Sequence, residues 1–169
     1  CGFSEEEAHR GVALFRERYT TIGKFENAPA PGMLELCRRL KEQGYRMALS
    51  SSKPEAMCEA ICDKFGFAPF LETIAGSPPA GNDWEKADVI RETMRRLGLT
   101  EADKASILMV GDRKFDILGA QHFGMDSVGV LYGHGSREEL EHFYYYLCRI
   151  MFKGIENPDL TIGEIIKLV

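Results

Sequence analysis

The residues best suited to chemistry in this chain are polar groups that follow short apolar runs. Ser50-Ser51-Ser52-Lys53-Pro54 follows Tyr45-Arg46-Met47-Ala48-Leu49, and Gly111-Asp112-Arg113-Lys114-Phe115-Asp116 follows Ser106-Ile107-Leu108-Met109-Val110. Lys86 opens the apolar repeat Ala87, Ile90, Met94, Leu97. Asp112 and Asp116 stand four residues apart at a predicted strand-to-helix turn, a spacing that lets both carboxylates lean toward one hard cation such as Mg²⁺. A hydroxyl at Ser51 and an ammonium at Lys86 suit a phosphate beside that ion. Mg²⁺ takes one or two protein carboxylates and completes its shell with waters and substrate phosphate, so the ligand count fits phosphoryl chemistry. Read singly, each residue has a plainer role: Asp112 as a helix cap, Ser51 as a turn serine, Lys86 as a solvated surface lysine.

The elements that must position these residues alternate between helix and strand. Ser4-Glu5-Glu6-Glu7 is a capping box, and Ala8, Val12, Phe15, Tyr19 and Ile22 come after it at helical steps, predicting one amphipathic helix to about Ile22. Gly23 to Met33, with Pro29 and Pro31, reads as a connector and candidate boundary. A helix carrying Leu36, Cys37 and Leu40 stops at Gly44, and the strand 45–49 comes next. Then come a helix over Glu55–Phe65 closed by Gly66, a weak strand over Phe70–Ala75, a turn-rich loop to Asn82 and a helix over Glu85–Leu97. The continuous apolar run Ser106–Val110 predicts a strand covered on both faces; a helix over Phe115–Phe123 and a strand over Ser127–Leu131 complete the alternation. Beyond Ser136, one helix is expected through Phe143-Tyr144-Tyr145-Tyr146 and a short one over Thr161–Val169. The aromatic stretch reads as packing on the core, with a partner surface as the alternative. The fold class is α/β, a doubly wound parallel sheet whose ligands bind beyond the carboxyl ends of the strands.

Composition narrows the function. At 169 residues with 44% hydrophobic and 28% charged residues, the chain suits one folded domain. A net charge of −5, with no basic run longer than two residues, argues against a nucleic-acid partner. No run of about 18 apolar residues predicts a membrane span. The cysteines at 1, 37, 58, 62 and 148 lack the spacing of a secreted disulfide framework and suit a reducing cytoplasm. Cys58 and Cys62 share an apolar helix face with Ile61 and Phe65, which favours buried thiols over metal ligands. His9, His122, His134 and His142 form no catalytic pairing in the sequence, and His134, between two glycines, reads as an exposed loop residue.

From about Ser4 to Leu140 the chain resembles the haloacid dehalogenase-like hydrolase superfamily, in its phosphoglycolate phosphatase-like branch. The resemblance rests on Pro31-Gly32-Met33, on Ala48-Leu49-Ser50-Ser51-Ser52-Lys53-Pro54, on Phe65-Gly66-Phe67, Gly76-Ser77 and Lys86, on Met109 through Ala120, and on Gly129-Val130-Leu131-Tyr132-Gly133. It implies a Rossmann-like core over residues 29–169 and a remnant of a mobile helical cap over 1–28. It further implies that Ser51 hydrogen-bonds a phosphoryl oxygen, that Ser52 and Lys53 neighbour the phosphate, that Lys86 offsets charge on nucleophile and phosphate, and that Asp112 and Asp116 serve Mg²⁺. The implied activity is Mg²⁺-dependent hydrolysis of a small phosphorylated metabolite through an aspartyl-phosphate. Phosphoglycolate, a nucleoside monophosphate or pyrophosphate would each suit it.

The chain departs from the family at one decisive place. The superfamily's first motif is Asp-x-Asp, whose acids attack phosphorus and shuttle the proton, yet no two of the eight Asp residues here are separated by a single residue. With Cys1 rather than Met at its start, the sequence is expected to be an N-terminally incomplete phosphatase. It would lack the strand that lies between the one ending at Ser51 and the one ending at Asp112. The alternative is a non-catalytic relative acting through protein contacts. A dehalogenase is disfavoured by the intact Gly-Asp-x-x-x-Asp.

Overall fold

A computed structural model of the chain describes residues 2–78 and 84–143. Ten regular elements run in order: α1 (Glu5–Thr21), α2 (Met33–Glu42), β1 (Ala48–Pro54), α3 (Glu55–Phe65), β2 (Thr73–Ser77), α4 (Lys86–Leu97), β3 (Leu108–Gly111), α5 (Lys114–Phe123), β4 (Asp126–Gly129) and α6 (Arg137–Phe143). The predicted alternation is present. Tyr144 onward, including the helix expected over 161–169 and most of the aromatic stretch, lies outside the described residues, as does the loop 79–83.

Sequence chemistry explains where the helices begin and end. Ser4 and Glu7 form the expected capping box of α1, with the Ser4 N–H donating to Glu7 Oε2 at 2.8 Å. Gly66, Gly98 and Gly124 close α3, α4 and α5 in the left-handed conformation that lacks a steric cost only for glycine.

The strands pair in parallel, as the crossover helices require, with β1 beside β2 and β3 beside β4. Among the described residues no strand joins the two pairs. Strand β1 spans 48–54 instead of 45–49, because its ladder with β2 aligns Ala48 with Thr73 and Ser50 with Ala75, which draws the serine run into the strand. Strand β3 also departs from expectation. Its continuous apolar run predicts cover on both faces, yet Leu108 is 39% and Val110 53% exposed, since α5 and β4 cover one side and no described element covers the other.

The interior is built by α4 and α5. Ile90 and Met94 from α4 meet Ala120 and Phe123 from α5, with Met125 beside them and Ile107 and Met109 packed against the cluster. Helix α4 also lies on β1 and β2, so it is the element that ties one strand pair to the other. Cys58 and Cys62 are buried on α3, and burial pushes the Cys62 thiol up to about 11. Both are therefore apolar packing groups rather than thiolates.

Helix α1 contrasts with this interior. It has the predicted amphipathic pattern but no buried residue, and Val12, Leu14, Phe15 and Ile22 are all exposed. No described helix is long and apolar enough to cross a membrane.

Candidate active site

The chemistry gathers where β1 and β3 end. Lys86, the first residue of α4, bridges β1 and the start of α5: Nζ donates to the Ser50 carbonyl at 2.6 Å and lies 2.7 Å from Asp116 Oδ1. The two side chains are only 10% and 13% exposed, so this is a mostly buried ion pair. The plain reading of Lys86 as a solvated surface lysine is thereby corrected: α4 packs on β1, β2 and α5 and turns Lys86 inward, while Asp88 in the same turn stays partly exposed.

Asp116 spends both of its carboxylate oxygens. While Oδ1 meets Lys86, Oδ2 accepts the backbone N–H of Asp112 at 3.2 Å and of Arg113 at 3.1 Å. These N–H groups belong to the N-cap residue Arg113 and the residue before it, so Asp116, at the third position of α5, does the capping work that the sequence offered to Asp112. The tuck requires Gly111, where an added Cβ would fall well inside 3.0 Å of the Asp116 side chain.

Asp112 is thereby freed from capping. Its Oδ2 accepts the backbone N–H of His134 at 2.7 Å, with His134 Nδ1 at 3.3 Å, and a third of its side-chain surface stays exposed. Burial alone would raise this carboxyl; the hydrogen bonds and charge from His134 outweigh it and hold the group below its ordinary range. His134, read as a plain loop residue, is thus a neighbour of the candidate metal ligand, although its ring is almost fully exposed. Only its place between Gly133 and Gly135 on a strand-end loop signals this in the sequence.

On the β1 side, Ser51 Oγ accepts the Lys53 backbone N–H at 3.2 Å, the geometry of a serine turn. Ser52 and Lys53 are exposed, and the Ser52 carbonyl accepts the Ser77 hydroxyl at 3.0 Å. Ser50 Oγ is buried with no hydrogen-bond partner among the described residues, an unusual cost in the very residue whose carbonyl Lys86 grips. Thus Lys86, Asp116 and Asp112 form one hydrogen-bonded group linked to β1 through Ser50, whereas Ser52 and Lys53 stand outside it.

The donor set fits Mg²⁺. The residues offer hard carboxylate oxygens beside a fixed ammonium. Among the described residues no group of three or more His, Cys, Asp or Glu side chains could hold a metal ion by itself.

Comparison with known proteins places this architecture. Residues 3–130 match the haloacid dehalogenase-like hydrolase family, and the chain belongs to that family. It is 35% identical over 139 residues to a 5'-nucleotidase from Pseudomonas aeruginosa, covering 82% of this chain and 62% of that protein. It is 30% identical over 135 residues to a phosphoglycolate phosphatase from Mesorhizobium japonicum, covering 80% of this chain and 58% of the relative. The fold superposes with a TM-score of 0.77, at 34% identity, on the crystal structure of a predicted phosphatase from Clostridium acetobutylicum, covering 86% of this chain and 66% of that one. The chain therefore spans about three-fifths of the length of the curated relatives it matches.

Proposed function

We propose that this chain carries the phosphate- and cation-handling half of a Mg²⁺-dependent phosphatase acting on a small phosphorylated metabolite. The observation that carries the reading is the Lys86 ammonium, fixed between the Ser50 carbonyl of β1 and Asp116 Oδ1 beside the end of β3. In a family of hydrolases, a mostly buried cation paired with a carboxylate suits phosphoryl transfer: charge is placed before the reaction begins.

Within this reading Asp112 is the direct ligand of the cation, which when bound would shield phosphate oxygens from an attacking carboxylate. Asp116 positions Asp112 by holding its backbone N–H and keeps Lys86 at the rim. Ser51 offers its hydroxyl, and Ser52 and Lys53 their N–H or side-chain groups, to the phosphate. Phosphoglycolate and nucleoside monophosphates are the substrate classes we favour, given relatives named phosphoglycolate phosphatase and 5'-nucleotidase. The exposed faces of Leu108 and Val110 and the separation of the two strand pairs support a further part of the proposal. A strand from outside the described residues, bearing the Asp-x-Asp acids, would insert between β1 and β3 and place the nucleophile opposite Lys86. Residues 1–28 would belong to the cap and 29–169 to the core.

Hydrolysis of an aryl phosphate tests this. The chain alone should stay at background with Mg²⁺. A longer protein that supplies an Asp-x-Asp strand should turn over with Mg²⁺, lose activity with chelator, and lose it again on Asp112→Ala. An extended protein that remains inactive would favour the non-catalytic alternative.

A further inference from the structure

The segment after β4 runs back along the Gly111–Lys114 turn and touches it at each successive residue. Val130 donates its N–H to the Gly111 carbonyl at 2.9 Å, extending the parallel ladder by one residue. The His134 N–H reaches Asp112 Oδ2 at 2.7 Å. Glu139 Oε1 then accepts both Arg113 Nε and the Lys114 backbone N–H, each at 2.9 Å, and so satisfies another orphan donor of α5. Leu140, fully buried, anchors this end of the segment beneath Gly129 and Ile117.

Two glycines let the segment come this close. A Cβ at Gly133 would overlap the Cβ and carboxylate of Asp112, and one at Gly135 would overlap the Asp112 carbonyl, both well inside the 3.0 Å floor of real Cβ contacts. Neither glycine is needed for a positive φ, since neither has one. What they supply is room for the Asp112 side chain and backbone.

We infer that Gly133–Glu139 is a strap that positions the Asp112 carboxylate for a divalent cation, with the His134 backbone N–H as its working contact and Glu139 as its fastening. This rests on the reading of Asp112 as the metal ligand. The strap acts by fixing the carboxylate plane through Oδ2, so that the ordering cost is met before the cation arrives. His134 works through its main chain, which explains how a residue with an almost fully exposed ring sits on the candidate ligand.

The test is Mn²⁺ binding by the full chain, monitored as loss of the free-ion electron paramagnetic resonance signal, with far-UV circular dichroism and thermal midpoint measured alongside. His134→Pro, which deletes the N–H, and Gly133→Ala, which crowds the carboxylate, should each weaken Mn²⁺ binding about tenfold or more. His134→Ala keeps the N–H and should lose less than a third as much. Glu139→Gln, at a partly exposed position, should weaken binding about threefold while the fold is retained; it decides the matter if the loop variants do not fold. Folded variants that bind Mn²⁺ as tightly as the parent overturn the strap alone. An unaltered chain that fails to bind Mn²⁺, or binds it equally after Asp112→Ala, overturns the metal reading and the strap with it.

Discussion

At the carboxyl end of β1 the chain turns outward, with Ser52 and Lys53 exposed and Ser51 engaged in a local turn, whereas at the end of β3 every residue from Gly111 to Lys114 is held by a partner. Both pairs are parallel, but the β1–β2 register shifts between Ser50 and Pro54 whereas β3–β4 pairs without interruption, and this accounts for part of the difference. The remainder has another source. It comes from the segment that leaves each strand. Helix α3 begins directly at Glu55 and leaves Ser52 and Lys53 uncovered, while α5 brings Asp116 back onto the turn and the segment after β4 closes over it. The contrast suits the proposed division of labour. Groups that greet a diffusing phosphate stay solvated, and the group that holds a cation is fixed in advance.

The largest expected effect comes from Lys86, whose side chain bridges β1 and α5. Lys86→Met should destabilise the chain by roughly 3–5 kcal/mol in urea unfolding, because it strands the Asp116 carboxylate in a mostly buried position. A loss below about 1 kcal/mol would show that the two halves do not depend on that ion pair. Ile117→Ala, at a fully buried site on α5, should cost about 2–5 kcal/mol by the same measurement, which gauges the packed side of the β3–β4 pair.

Acid should separate the two rims next. The Asp112 carboxyl lies below its ordinary value in the folded chain, so it adds stability above its unfolded pKa of about 3.9 and loses it as pH falls through the depressed folded value. The stability gap between the parent and Asp112→Asn should therefore be widest near pH 7 and shrink below about pH 4, as tracked by urea midpoints. A gap that is constant with pH would mean that the His134 contacts do not favour the charged form. The smallest effects are expected on open surfaces: Val110→Thr on the uncovered face of β3 and Lys53→Ala on the β1 rim should each stay within about 0.5 kcal/mol. In a longer protein whose added strand covers β3, the Val110 substitution should become costly while the Lys53 one stays small.

Much of this was legible in the chain because it is written in local chemistry. The Ser4–Glu7 capping box, the glycines that end α3, α4 and α5, and the 3.6-residue apolar repeats set the helices within a few residues of where they lie. The apolar run leading to Gly111-Asp112 announced where β3 stops, whereas the run leading to Ser51 did not mark the end of β1, which continues to Pro54. The motif residues and their order also carried the family, which the match over residues 3–130 bears out.

Other features depended on contacts between residues far apart in sequence. Periodicity marks both α1 and α4 as amphipathic, yet only α4 finds strands to bury against, so the same pattern gives an exposed helix in one place and the centre of the fold in the other. No spacing rule could say that Lys86 would reach Ser50, 36 positions earlier, or that His134 would close on Asp112 across 22. Nor could it say which of two carboxylates would cap α5. That choice is set by geometry: the aspartate in the first turn of the helix can fold back onto the N–H groups at its start, and the one before the helix is then left to accept the His134 N–H.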